Sequence, residues 1–127
     1  MFDLTEEEAR LLLNVALMAT GANRFRSAAR IFAALERFRP DSPQLAVSKA
    51  IALLSALKYA ECLAYLDGDA ERRFPGNPML LAFKGFALIR LGRGGEAREV
   101  LSRVASQDAD PAAAQLAGSL MGETGDD

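Results

Sequence analysis

The chain has 127 residues, half of them apolar and a quarter charged, and its formal net charge is −2. This length and balance fit one compact domain and argue against wholesale disorder and against a nucleic-acid partner. The sequence contains no histidine and a single cysteine, Cys62, which excludes the common zinc sites and the Ser-His and Cys-His nucleophile pairs. We therefore expect no enzyme activity, no cofactor and no metal site.

Leucine and alanine dominate the composition, and helix start and stop signals predict seven helices and no strand. Thr5 and Glu8 form a capping box that starts the first helix. The segment 67–69 is expected to fray or shorten the fourth helix. Three later helices have a polar N-cap directly before a proline, at Ser42, Asn77 and Asp110. The predicted helices cover about 6–20, 25–38, 43–55, 59–72, 78–91, 95–106 and 111–121.

Three sequence features indicate where the protein resides. A lone cysteine cannot form an internal disulfide, which is typical of a protein from a reducing compartment. The residues Met1-Phe2-Asp3-Leu4 have no basic flank, so a secretory signal is not expected. The longest near-apolar run, Leu11 to Ala19, is too short to span a bilayer. We expect a cytoplasmic protein without membrane insertion.

Three short segments follow one template at a spacing of 34 or 35 residues. Each reads as a basic residue, an aromatic residue or glycine, any residue, serine or glutamate, and a small residue. The segments are Arg24-Phe25-Arg26-Ser27-Ala28, Lys58-Tyr59-Ala60-Glu61-Cys62 and Arg93-Gly94-Gly95-Glu96-Ala97. Pro40, Pro75 and Pro111 follow them at similar distances. A repeat of this length is typical of stacked helical hairpins, which build binding surfaces and rarely active sites.

In each unit, the small residue that ends the template lets the second helix approach the first. We therefore interpret Cys62 as a small buried apolar residue rather than a reactive thiol, and Phe25 and Tyr59 as packing residues. The first helix of each unit is apolar nearly all round, as expected of a helix that is covered on every side. The side chains predicted to pack on the second helix are Val15, Ala16, Ala19, Ala50 and Leu53.

The units resemble tetratricopeptide repeats, which have about 34 residues, a small residue late in the first helix, an alanine in the second and a closing proline. The matching residues, unit by unit, are Ala16, Phe25, Ala28, Phe32 and Pro40; Ala50, Tyr59, Cys62, Leu66 and Pro75; and Gly85, Gly92, Ala97 and Leu101. The family's aromatic residue early in the first helix is absent from all three units. The resemblance implies an all-α, right-handed solenoid of three hairpins, about 9–42, 43–77 and 78–110, with a capping helix over 111–121 and a disordered tail over 122–127.

The resemblance also implies which side chains of the first helices line the concave face. The predicted groove residues are Leu13, Leu17, Val47, Ile51, Leu54, Met79, Phe86 and Ile89, with Arg10 and Arg90 at the rim. The same register places Ala82 on this face. Monomers normally expose apolar patches of only on the order of a few hundred Å², so this surface needs a cover. Three covers are open: the amphipathic helix of a partner, a second copy of the chain, or the chain's own last helix, which is better placed to cap the third unit. The apolar positions do not fit recognition of a terminal carboxylate, which needs lysine, arginine and asparagine donors.

Residues 8–121 as a whole resemble the small tetratricopeptide chaperones of bacterial type III secretion that hold the needle subunit. The likeness rests on the segment from Leu12 to Gly21 ending Ala-Thr-Gly, on Leu91-Gly92-Arg93, and on Ser106-Gln107-Asp108. It implies a cytoplasmic export chaperone that sequesters the amphipathic helix of a self-polymerising subunit, commonly with a small co-chaperone. Arg39-Pro40 and the chain length also resemble the HrpB-type accessory proteins of plant-pathogen secretion systems. These imply the alternative function, an assembly adaptor without hand-over.

A basic stretch marks the second predicted helix. Its members are Arg24, Arg26, Arg30, Arg37 and Arg39. They fit either a solvated convex face or a docking surface for an acidic co-chaperone. No aromatic residues interleave on that face as they do in nucleic-acid binding surfaces, and the net charge is not positive.

Overall fold

The computed structural model describes residues 5–21 and 24–122, and in these ranges every regular element is a helix. The helices are α1 (Glu6–Gly21), α2 (Phe25–Phe38), α3 (Pro43–Ser55), α4 (Tyr59–Asp67), α5 (Asp69–Arg73), α6 (Pro78–Arg90), α7 (Gly94–Ala105) and α8 (Pro111–Met121). The predicted all-α fold is confirmed, and most predicted boundaries agree with the structure to within one residue. The terminal residues 1–4 and the predicted tail beyond Gly122 lie outside the described ranges.

The prediction of one helix over 59–72 is wrong, because the structure has two helices there. The backbone at Gly68 has φ −102° and ψ −95°, which is not helical, so α4 ends at Asp67 and α5 starts at Asp69. The carboxylate of Asp69 then binds both arginines of α5, Arg72 at 3.2 Å and Arg73 at 2.8 Å. The sequence signal at 67–69 therefore marks a break in the helix.

The starts of four helices, α1, α3, α6 and α8, are fixed by local side-chain hydrogen bonds, as predicted. Thr5 and Glu8 form the reciprocal capping box: Glu8 N–H donates to Thr5 Oγ1 at 3.0 Å, and Thr5 N–H donates to Glu8 Oε1 at 2.9 Å. The side chains of Ser42, Asn77 and Asp110 each accept the backbone N–H three residues further on, at 3.2, 3.1 and 3.1 Å. Each satisfies a donor that the first helical turn leaves without a partner.

The chain divides into two compact units, Met1–Leu57 and Lys58–Asp127. In the first unit, α1 packs along α2, and α3 contacts both. The buried core residues of these three helices are Ala16, Phe32, Leu35, Leu45 and Ala52, with Leu13 and Ile31 packed against them. An ion pair of 3.1 Å between Lys49 and Glu36 also joins α3 to α2.

In the second unit, α6 is the central helix, because it packs against α4, α7 and α8. α8 contacts α7 as well as α6, which agrees with the predicted role of a cap on the third hairpin. Its buried side chains are Ala113, Ala117 and Leu120. Lys84 of α6 binds Asp67 at the end of α4 at 2.8 Å.

Small residues allow close helix packing where the repeat template places them. Ala28, Cys62 and Ala97 are all buried, as predicted. Cys62 is fully buried, so its interpretation as a core residue is confirmed, and this burial raises the pKa of its thiol to about 12. Gly85 of α6 also permits a close approach, since an added Cβ would lie 2.4 Å from a methyl carbon of Leu101 in α7.

The turn between the two helices of a hairpin has the same geometry in the second and third repeats. α3 and α6 each have 13 residues and begin with proline, and a turn residue with positive φ follows each of them. In the third repeat that residue is Gly92, with φ 77°. In the second it is Leu57, with φ 61°, although non-glycine residues rarely adopt this conformation.

Candidate protein-interaction surfaces

The predicted groove residues of the first unit differ in exposure. Val47 and Leu13 are half-buried, and Ile51 is 40% exposed. The prediction that Leu54 is uncovered is wrong, since it is only 8% exposed. Leu54 lies four residues after the fully buried Ala50 and therefore shares the core-facing side of α3. Leu17 belongs to α1, but its side chain is outside the described part of the structure.

On α3, the accessible apolar surface is thus a narrow strip. Val47 and Ile51 are four residues apart, so they lie on the same face, and exposed Ser55 continues that face at the end of the helix. The strip adjoins the buried face rather than opposing it. It offers two apolar contacts to a partner.

The predicted groove residues of the second unit lie on α6. Met79, Phe86 and Ile89 are half-buried, and Arg90 is exposed. The Arg90 guanidinium lies over the Phe86 ring, 5.3 Å from its centroid, so the rim cation and the groove aromatic form one contact surface. Ala82, which the register also placed on the concave side, is fully buried.

Sequence reasoning missed Phe83 on this surface. Phe83 is half-buried and lies four residues after Met79 and three before Phe86, which is the spacing of side chains on one helix face. Together with Arg90, these residues form the aromatic face of α6: Met79, Phe83, Phe86 and Arg90. The three-and-four spacing alone could have identified Phe83, but the repeat register assigned Ala82 in its place.

A cleft of about 380 Å³ lies between α1, α2 and the start of α3. Its lining residues are Arg10, Leu13, Leu35, Arg39, Ser42, Gln44 and Leu45. The cleft brings the predicted rim residue Arg10 next to the predicted groove residue Leu13. Because Leu35 and Leu45 are buried core residues, the cleft has an apolar floor, and its charged lining residues are both arginines. It can hold an apolar side chain with a carboxylate close by.

The second helix carries an exposed basic face. Arg26, Arg30 and Arg37 are exposed and fall within about 40° of one another around the helix axis. Phe32 and Leu35 are buried in the unit core. The amphipathic pattern of α2 therefore orients its arginines away from the core, which fits both interpretations offered by the sequence.

One exposed surface, on α1, was not predicted. Leu11, Val15 and Met18 of α1 are 63, 42 and 72% exposed, and their spacing puts them on one face. The prediction that Val15 packs against the second helix is therefore wrong. α1 contacts its neighbours through the side that carries fully buried Ala16, and the opposite side is left exposed. A helix that is apolar nearly all round gives no sequence signal for which side is buried.

No cluster of three or more histidine, cysteine, aspartate or glutamate side chains that could hold a metal ion occurs among the described residues. None of the helices in the described ranges has both the length and the apolar character required to cross a bilayer.

Comparison with known proteins agrees with the repeat pattern. A tetratricopeptide-repeat family model matches residues 53–120, which is more than half of the 127 residues. The match begins in the last turns of α3 and ends in α8. Searches of curated proteins and of solved structures gave no match. With its paired helices, its repeated turn and this match, the chain belongs to the tetratricopeptide-repeat family.

Proposed function

We propose that this protein is a bacterial cytoplasmic export chaperone that sequesters the amphipathic helix of a self-polymerising type III secretion subunit. Tetratricopeptide repeats are typically protein-interaction scaffolds rather than enzymes. The observation that carries the proposal is the aromatic face of α6, on which half-buried Met79, Phe83 and Phe86 lie beside exposed Arg90. A subunit that assembles through an apolar helix face stays monomeric while that face is bound elsewhere.

The chemistry of this face suits a helical partner. An amphipathic helix inserts apolar side chains at positions i, i+3, i+4 and i+7, and each buried anchor contributes about 1.5–3 kcal/mol before ordering costs. Arg90 would pair with an acidic residue beside those anchors and so fix the direction of the helix. The first unit offers similar contacts. They are the apolar side chains of Val47 and Ile51 on α3, and Arg10 in the cleft between α1, α2 and the start of α3.

The alternative is an assembly adaptor of a secretion system, related to the HrpB-type accessory proteins, that keeps its partner permanently. One observation favours it: the basic face of α2, with exposed Arg26, Arg30 and Arg37, offers a charged surface that differs in chemistry from the apolar strips. An adaptor joins two proteins and needs two surfaces. In the chaperone, the same face would bind an acidic co-chaperone.

The experiment is binding of a fluorescent amphipathic helical peptide, followed by fluorescence anisotropy. We expect Phe86→Asp and Ile51→Asp each to weaken binding at least tenfold, because each buries a carboxylate at an apolar contact. Ala60→Asp, which adds the same charge at an exposed position of α4, should bind like wild type. Circular dichroism checks that helicity persists. Wild-type affinity in both groove variants would contradict the proposed surface.

A release experiment separates the chaperone from the adaptor. The protein is co-expressed with a short helical secreted subunit as its candidate cargo, and the purified complex is then challenged with excess unlabelled subunit helix. A chaperone should exchange its cargo within minutes, since it has to hand the subunit over. A complex that persists for hours under this challenge would favour the adaptor.

A further inference from the structure

The cleft of about 380 Å³ in the first unit combines an apolar floor with arginine side chains. Leu35 and Leu45 are buried in the unit core, and half-buried Leu13 continues the apolar surface on α1. Arg10 is exposed on α1, and Arg39, directly after α2, is half-buried. Small-molecule sites measure roughly 300–1,000 Å³, so this volume is at the lower end of their range. The cleft therefore has the size and the mixed lining of a site for a small amphiphile.

The part of the lining that joins α2 to α3 is held in place by its own contacts. The N–H of Arg39 donates to the carbonyl of Leu35 at 2.7 Å, and the N–H of Ser42 donates to the carbonyl of Arg39 at 3.3 Å. The Arg39 guanidinium also lies over the Phe38 ring, 5.0 Å from its centroid. Stacking of this kind uses the face of the guanidinium, whereas the N–H groups lie in its plane. Arg39 is thus positioned before any ligand binds.

The polar side chains of the lining are rich in hydrogen-bond donors. An arginine side chain has several N–H donors and no acceptor, and Arg10 and Arg39 both line the cleft. The oxygen of Ser42 already accepts the N–H of Leu45 at 3.2 Å. Among the described residues that line the cleft, none is a carboxylate. The ligand that fits such a lining brings acceptors without donors, which is the property of an ionised carboxylate.

We propose that the cleft binds a free monocarboxylate with an unbranched apolar chain, such as a medium-chain fatty acid. The carboxylate pairs with Arg10 and Arg39, and the chain lies on Leu13, Leu35 and Leu45. The carboxyl end of a polypeptide has a similar head group, but its backbone N–H groups need acceptors, of which the lining side chains offer few. The proposal does not rest on the export-chaperone function, because the aromatic face of α6, which carries that function, has no part in it.

The first test is titration of the full chain with octanoate, below the concentration at which it forms micelles, followed by NMR of the leucine methyl groups. We expect a dissociation constant of about 0.1–1 mM for so small a ligand. The methyl signals of Leu35 and Leu45 should shift, whereas those of Leu88 and Leu101, buried in the second unit, should not. Shifts confined to exposed Leu11 would mean adsorption on the apolar face of α1 and would overturn the proposal.

The second test removes the charges one at a time. Arg10→Gln and Arg39→Gln should each weaken octanoate binding about fivefold, because each removes charge-assisted donors. Arg26→Gln, at an exposed position on the basic face of α2, lowers the net charge by the same amount and should bind octanoate like wild type. Circular dichroism checks that all three variants remain helical. Equal weakening in the three variants would indicate general attraction to positive charge and would contradict a site in the cleft.

The third test varies the ligand. Octanol has the same chain without the carboxylate and should bind about tenfold more weakly than octanoate. From hexanoate to octanoate, each added CH₂ group should tighten binding about fourfold, because it is buried on the leucine floor. Equal affinity for octanol, or no dependence on chain length, would overturn the proposal.

A short acetylated peptide that ends in leucine tests the polypeptide as the source of the carboxylate. We expect it to bind more weakly than octanoate, because its backbone N–H groups lose hydrogen bonds to water in the cleft. Tighter binding of the peptide, with the same methyl shifts at Leu35 and Leu45, would assign the cleft to a protein partner instead of a free acid.

Discussion

Leu57 occupies a backbone conformation that the third repeat assigns to glycine. Its φ of 61° corresponds to 77° at Gly92, one repeat later, and the side chain is 69% exposed. A left-handed conformation costs a non-glycine residue roughly 1–2 kcal/mol, and an exposed leucine recovers little of that by packing. The residue is thus a local weak point of the turn between α3 and α4.

We expect Leu57→Gly to raise the free energy of unfolding by about 0.5–1 kcal/mol, since relief of strain exceeds the entropy that glycine adds to the unfolded chain. Urea denaturation followed by circular dichroism measures the change. Ala56→Gly is the control, because Ala56 has an ordinary φ of −83° and glycine there should destabilise. A destabilised Leu57→Gly would mean that the leucine side chain makes a stabilising contact.

Burial of Cys62 predicts a pH dependence of stability. Its thiol has a pKa of about 12 in the folded protein, raised from 9.0 by desolvation. The unfolded chain therefore loses this proton at lower pH than the folded chain does. The contribution of the Cys62 thiol to the free energy of unfolding is therefore constant below pH 9. As the pH rises from 9 to 12, this contribution declines by up to about 1.4 kcal/mol per pH unit.

Urea denaturation at several alkaline pH values should show this decline, and Cys62→Ala should lack it. The same burial predicts that a thiol reagent at pH 8 labels Cys62 only after unfolding. Rapid labelling of the native protein would contradict the assignment of Cys62 to the core.

At the scale of single helices, local side-chain chemistry determines where four of the eight described helices begin: α1, α3, α6 and α8. The N-caps at Ser42, Asn77 and Asp110 and the prolines after them are short-range signals, so the sequence predicted these starts correctly. The direction in which a helix faces depends on its neighbours instead. For that reason the sequence misplaced Val15, which is exposed, and Leu54, which is buried.

We expect Asn77→Ala to lower the free energy of unfolding by about 1 kcal/mol, because the N–H of Leu80 loses its acceptor at the start of α6. Asn77→Asp keeps a side-chain oxygen at the same place and should remain within a few tenths of a kcal/mol of wild type. Thermal or urea denaturation checks both. Equal losses in the two variants would show that the cap hydrogen bond is not the cause.

At the scale of the whole molecule, the fold was far more predictable than the interaction surface. Repeat spacing and helix punctuation are encoded in neighbouring residues, and both identified the helical-repeat architecture. Surfaces depend on which side of each helix is covered, and the register supplied this only in part: it placed Phe86 and Arg90 on the accessible face of α6 and left out Phe83, which lies on the same face. The exposed apolar face of α1, formed by Leu11, Val15 and Met18, had no sequence signal, because that helix is apolar nearly all round.

The position of α8 predicts the effect of truncation. Because α8 contacts α6 and α7 and buries Leu120, a chain that ends at Asp108 exposes their apolar surfaces. We expect a loss of several kcal/mol in stability, an order of magnitude set by burial of a few apolar side chains, together with increased binding of an apolar dye. A chain that ends at Gly122 is the control and should behave like wild type. Unchanged dye binding in the shorter chain would argue against the capping role.

The contact between Gly85 and Leu101 has an evolutionary consequence. A Cβ at position 85 would lie 2.4 Å from the Leu101 side chain, so a larger residue at position 85 requires Leu101 to shift or to be replaced by a smaller residue. Among relatives of this protein, a residue larger than glycine at position 85 should be accompanied by a residue smaller than leucine at position 101. Such paired exchanges would record this contact in the history of the family.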